Sequence, residues 1–164
     1  MAWLVIRARS DRGVERSIRE TMSYLNLTKV NHAVIVPESD TYAGMLQKAK
    51  DFVTWGPVSS ESIAQMIRER GRLPGDRPVD DAAISDCTDY DGIDAFAAAI
   101  ASGDAAIKDA SELKRVFRLH PPRGSKGWGG IKRAYSVGGA LGNRGEAIEA
   151  VSYTHLTLPT KRIV

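Results

Sequence analysis

Trp3-Leu4-Val5-Ile6-Arg7-Ala8-Arg9 (WLVIRAR, residues 3–9) begins as an apolar run and then alternates, Ile6 and Ala8 against Arg7 and Arg9. Four successive apolar side chains fit a buried strand, and the alternation fits its end emerging to present cations. Beyond a turn at Asp11 and Gly13, Val14, Ile18, Met22 and Leu25 repeat at helical spacing, which predicts an amphipathic helix over 14–25 stopped by Asn26. Asn31 to Pro37 (NHAVIVP) reads as a second strand ended by proline. Ser39 or Asp40 can cap a second helix, whose apolar face is Met45, Ala49, Phe52 and Val53; residues 54–58 make a short third strand. A helix separates each pair of strands and no hairpin-length turn occurs. The order β-α-β-α-β predicts an α+β, ferredoxin-like two-layer core over 1–58, with both helices on one face of the sheet.

Downstream, residues 59–112 read as a mainly helical insertion. Ser59 or Ser60 opens a helix striped by Ile63, Met66 and Ile67, and Gly71 to Gly75 breaks it. A second helix over 91–102 carries Ile93, Phe96, Ala97 and Ile100, and Gly103 ends it. Val116 to Leu119 is a last short strand candidate, terminated by Pro121-Pro122. Residues 113–150 form a basic, glycine-rich extension, with eight glycines from Gly124 to Gly145; Glu146 to Ala150 looks like the start of a closing helix. Val151 to Thr160 (VSYTHLTLPT) is what a common transposase-type sequencing adaptor encodes. The tail 151–164 is therefore read as artefactual read-through.

The 164 residues, 43% of them hydrophobic, suffice for one domain or two small lobes sharing a core. No apolar run approaches the roughly 20 residues of a membrane span, and the N-terminus lacks the pattern of a secretory leader. The single Cys87 excludes an internal disulfide and a thiolate-clustered zinc site, and suits a reducing cytoplasm. The formal charge of +3 says less than its distribution. From Leu113 to Gly145 there are eight bases and no acid: Lys114, Arg115, Arg118, Arg123, Lys126, Lys132, Arg133 and Arg144. From Asp76 to Glu112 there are ten acids against Arg77 and Lys108. A polyanion is attracted to the first segment and repelled by the second. Without the tail the charge is +1, and this clustering is unchanged.

The segment richest in chemistry is RLHPPRGSKGWGGIKRAYSVGGALGNRG, residues 118–145. Its cations are spread along a loop and can meet several phosphates. Its glycines allow backbone N–H groups to approach a phosphate chain. His120, Trp128 and Tyr135 can stack on exposed bases. Enzymatic readings fail on spacing. The Walker pattern is absent, and the glycines of 138–145 have neither a βαβ unit nor a following acid. His32, His120 and His155 have no ligand spacing, and Asp80, Asp81, Asp89 and Asp91 do not form a calcium loop. No catalytic residue, metal or cofactor is expected. A protein-interaction adaptor, using the acidic helical lobe to hold a basic partner, is the alternative to nucleic-acid binding.

Two motifs resemble a known family. DTYAGMLQKAKDFV (40–53), following LNLTKVNH (25–32), is similar to the helix motif and the segment before it in the universal L-thirty family of large-subunit ribosomal proteins. RLHPPRG, GIK (130–132) and GGALG (138–142) resemble the C-terminal block of its long archaeal form, as does the acidic Thr88–Asp91 stretch. The resemblance covers residues 3–150. It implies a structural constituent of the 50S subunit, cytoplasmic and monomeric within the ribosome. Such a protein docks on large-subunit rRNA near that subunit's small rRNA and beside other ribosomal proteins. It carries an RNA-binding role onto Lys29, Asn31, His32 and Lys48 in the core, and onto Arg118, His120, Arg123 and Lys132 in the C-terminal block. Arg9, Lys126, Arg133 and Arg144 join them on charge and placement alone.

Overall fold

The computed structural model describes residues 1–10, 12–119 and 131–150. The expected β-α-β-α-β core is present: β1 (Ala2–Arg7), α1 (Arg16–Tyr24), β2 (His32–Pro37), α2 (Asp40–Lys48) and β3 (Val53–Val58). β1 lies between β2 and β3 and is antiparallel to both, with Leu4 opposite Ile35 on one side and Gly56 on the other. Because β2 and β3 flank β1, α2 carries the chain across it, as in a split β-α-β unit. Ser39 is the cap of α2, its hydroxyl accepting from the Tyr42 N–H at 3.3 Å.

Side-chain alternation along the sheet separates two cores. Val5, Val34, Val36, Val53 and Trp55 meet Met22, Leu25, Leu46 and Ala49, so α1 and α2 share one face as expected. Ala2, Leu4, Ile6, Ala33, Ile35 and Val58 point the other way. They are covered by α3 (Ser60–Arg70) and α5 (Ile93–Ser102), through Ile63, Met66, Ile67, Phe96 and Ile100. The insertion thus adds a third layer and shares its core with the sheet. This accounts for the unbroken apolar run in β1, since a strand covered on both faces has no solvent side to keep polar.

Two elements of the insertion were not expected from the sequence. Arg72–Leu73 (β4) and Arg77–Pro78 (β5) form a small hairpin around the Pro74–Asp76 turn, where Gly75 and Asp76 take φ of 80° and 58°. Asp81–Cys87 is a short helix, α4, with Asp80 as its cap accepting from the Ala83 N–H at 2.9 Å. Asp81 Oδ1 accepts the Ile93 N–H at 3.0 Å and so serves the start of α5. With only Ile84 buried, seven residues carry too little periodicity to announce a helix.

The extension adds a short strand at each edge of the sheet. Phe117–Arg118 (β6) pairs antiparallel with β2, His32 opposite Arg118, where a last strand was expected. Gly142–Asn143 (β7) pairs parallel with β3, a pairing that its glycine-rich sequence conceals. The Arg144 N–H donates to the Trp55 carbonyl at 2.8 Å, Ile148 is fully buried, and Glu149 Oε1 accepts the Ser59 N–H at 2.7 Å. Residues 145–150 form a 3-10 turn running into a helical turn, matching the expected helix start. Gly56 makes this docking possible, since a Cβ there would collide with the Gly145 carbonyl and lie 2.9 Å from the Ile148 Cβ. Expectations for His120–Gly130 and for the tail 151–164 fall outside the described residues.

Replacing Gly56 by Ala is expected to lower unfolding stability by about 2 kcal/mol, the order of an overpacked core position. It should also loosen residues 142–150 selectively. Urea denaturation gives the first effect, and amide exchange at Asn143 and Arg144 the second.

Candidate nucleic-acid interface

The topology sorts the functional side chains before any of them is considered singly. β1 and β6 end, and β2, β3 and β7 begin, at the same rim of the sheet. Arg9 follows β1, Lys29 and Asn31 precede β2, Lys48 and Lys50 precede β3, Arg118 ends β6, and Lys132 and Arg133 precede β7. Five strands at about 4.8 Å spacing set the rim's width at roughly 19 Å. The opposite rim carries Glu38, Asp40 and Glu61, beyond the ends of β2 and β3.

Within the rim the residues divide by role. Lys29, Lys48, Lys132 and Arg133 are exposed, and among the described residues no carboxylate lies within ion-pair distance of them. They are free to meet an external anion. Arg9 and Arg144 are partly committed to the fold. The Arg9 guanidinium lies 5.2 Å from the Phe52 ring centroid and donates to the Asp51 carbonyl at 3.4 Å. Arg144 donates from Nε to Thr54 Oγ1 and from Nη2 to the Ala140 carbonyl, each at 2.8 Å, and stacks over Tyr135 at 5.1 Å. It fixes the turn that carries Lys132 and Arg133 outward. Gly139 permits the same turn, since any Cβ there would strike the Arg133 carbonyl.

Asn31 takes φ of 66°, donates its N–H to the Arg7 carbonyl at 2.8 Å, and accepts from the Leu119 N–H at 3.0 Å. Its backbone therefore joins the end of β1 to the end of β6. Arg7, fully inside, donates from Nη1 to the Leu27 carbonyl at 2.8 Å and holds the chain leading into β2. The alternation in β1 had Arg7 emerging beside Arg9 to present a cation; the structure instead buries it, because its guanidinium is taken up by the backbone carbonyls of Arg9 and Leu27.

His32 is the most constrained of the site residues. Its Nδ1 is buried and has no hydrogen-bond partner among the described residues. Burial, and then the charges of Arg118, Lys29 and Arg7, hold its imidazole below the ordinary value and so keep it neutral. Beside it, Lys114, Arg115 and Arg118 line a shallow groove of about 450 Å³ that also includes Asn26 and Thr28. The insertion reaches this groove through Asp76. Its Oδ1 lies 2.6 Å from Lys114 Nζ, and its Oδ2 4.0 Å from Arg118 Nη1. Lys114, by hydrogen bond and charge, and then Arg118, hold the Asp76 carboxyl below the usual range. The pair is exposed and so contributes little to stability. Arg115 was legible only as part of the basic run, and nothing in the sequence singled it out. His120, Arg123 and Lys126 lie outside the described residues.

A rim of exposed cations, backed by a cationic groove and a neutral imidazole, can bind an extended polyanion. The described residues contain no cluster of three or more potential metal ligands and no helix long and apolar enough to cross a membrane.

The family model for ribosomal protein L30p/L7e matches residues 3–53, from the start of β1 to the start of β3. The chain is 46% identical over 146 residues to the large ribosomal subunit protein uL30 of Methanosphaera stadtmanae, covering 89% of this chain and 94% of that one. It is 48% identical over 136 residues to the protein of the same name from Methanopyrus kandleri, covering 83% and 91%. The uL30 of Methanocorpusculum labreanum is 43% identical over 146 residues, covering 89% and 94%.

The state of His32 has a consequence for stability. Its folded-state value is depressed, so below about pH 6.5 the unfolded imidazole takes up a proton that the folded one resists. The contribution of neutral His32 is complete above that pH and is lost as pH falls toward the folded value. Denaturant titrations at pH 7.5 and 5.5 should therefore show the stability advantage of the natural chain over His32→Gln shrinking at the lower pH. An unchanged advantage would refute the assignment.

Proposed function

The chain belongs to the L30p/L7e family of ribosomal proteins, and from that premise we propose that it binds large-subunit ribosomal RNA through the basic rim of its sheet. It is a structural constituent of the large ribosomal subunit, in its archaeal form, acts in the cytoplasm, and is not an enzyme. What supports the finer reading is one observation: Lys29, Lys48, Arg118, Lys132 and Arg133 leave different strands and helices yet reach solvent at the same end.

Phosphate contacts from these cations supply affinity and orientation. The breadth of the rim favours recognition of RNA shape over base identity. Asn31, Arg9 and Arg144 serve as positioning residues for it, and His120, Arg123 and Lys126 join the RNA-binding set on charge and resemblance alone. The division of labour follows the chain: residues 1–58 and 113–150 face RNA, and the acidic residues of 59–112 face solvent or a basic ribosomal neighbour. The protein acts as a monomer within the particle, near the subunit's small RNA. Residues 151–164, whose first ten match a translated adaptor, have no part in this function.

Changing Arg118, Arg123, Lys132 and Arg133 together to Ala should weaken binding to large-subunit rRNA and flatten its salt dependence. The slope of log K against log salt should fall by about 3, given roughly 0.7–0.9 for each phosphate that is no longer neutralised. Filter binding over a range of salt concentrations reads both quantities. An unchanged slope would remove the basic rim from the interface.

A further inference from the structure

We propose that the outer side of β2 holds an unpaired ribonucleotide, its base stacked on Tyr24 and its phosphate on Arg115. The proposal deepens the ribosomal RNA reading and rests on it.

Tyr24, the last residue of α1, is 77% exposed. An aromatic ring left in water at that level contributes little to the core, and it is a natural stacking surface for a base. It overlooks a cavity of about 190 Å³ whose walls include Asn26, Val36, Tyr42, Ile107 and Arg115. No carboxylate lines this cavity, while Lys108 and Arg115 do. Asn26 and Arg115 also belong to the neighbouring groove of His32, Lys114 and Arg118. The two hollows therefore form one track, running from the basic rim along β2 to Tyr24, with cations at one end and an aromatic at the other.

β2 has a further feature suited to a base. β6 pairs only with His32 and Ala33, so among the described residues no strand pairs with β2 beyond them on that side. Beyond Ala33 the outer side of β2 borders this cavity instead of a neighbouring strand. The free stretch, Val34 to Val36, is bounded by Pro37 and faced by the 3-10 turn Ile107–Asp109. It is shorter than the usual five or six residues of an added strand. That shortness, together with the positive lining, favours a nucleotide over a peptide.

Fluorescence anisotropy on the full chain tests this, using labelled single-stranded oligoadenylate and a fully paired RNA duplex as probes. Tyr24→Ala should weaken single-strand binding about tenfold, within the range for loss of one base stack, without changing its salt slope or duplex binding. Tyr24→Phe should restore it, and Arg115→Ala should lower the single-strand slope by about 0.7. Equal binding of Tyr24→Ala and the natural chain to oligoadenylate would overturn the proposal, as would an equal loss on both probes. If Tyr24→Ala instead keeps RNA affinity but fails to enter large subunits, the groove belongs to a protein neighbour and the proposal also falls. A rim variant that retains both affinities while Tyr24→Ala loses the single strand would remove the rim and leave the groove.

Discussion

The whole arrangement depends on β1 being apolar on both faces. Leu4 and Ile6 cannot be left in water at roughly 1.5–3 kcal/mol per side chain, and neither can Val5. One face is covered by α1 and α2, which the β-α-β-α-β order delivers automatically. The other has to be covered by something else, and the insertion does this with α3 and α5. Once both faces are sealed, charged groups can leave the sheet only at strand ends and edges. The basic rim follows from that constraint as much as from the number of cations.

The acids of the insertion also follow from local chemistry. Asp80 and Asp81 satisfy the orphan N–H groups at the starts of α4 and α5, and Asp109 accepts the Ala106 N–H at 2.8 Å. Several carboxylates are therefore taken up at the starts of helices and turns. Asp76 differs, because it sits in a left-handed turn and reaches across to Lys114 and Arg118. It places one negative group at the margin of an otherwise positive groove, where it orders two cations without neutralising the rest of the rim.

The glycine-rich extension is structural as well as basic. Its last described part seals the open side of β3 through β7, the Arg144–Trp55 backbone bond and Ile148 over Gly56. Arg144 shows how one residue joins the two roles. Its guanidinium is occupied by Thr54, Ala140 and Tyr135, so this cation braces the glycine-rich turn against β3.

The sequence alone determined the strand and helix order of residues 1–58, the two longer helices of the insertion and the basic character of 113–145. Each is a repeating or compositional signal carried by the chain itself: period two or 3.6 in apolar residues, or a run of one charge. The caps of α2 and α3 were legible to within one residue, as Ser39 or Asp40 and Ser59 or Ser60, and the strand at Phe117 likewise, since caps and short apolar strands are local. Only the tertiary structure decided that the insertion covers the second face of the sheet, that Gly142–Asn143 becomes a strand, and that Arg7 points inward. It alone set Tyr24 and His32 in adjoining hollows that share Arg115. These depend on pairings between residues far apart in the chain, such as Thr54 with Gly142, and the local pattern on either side of such a pairing does not encode its partner.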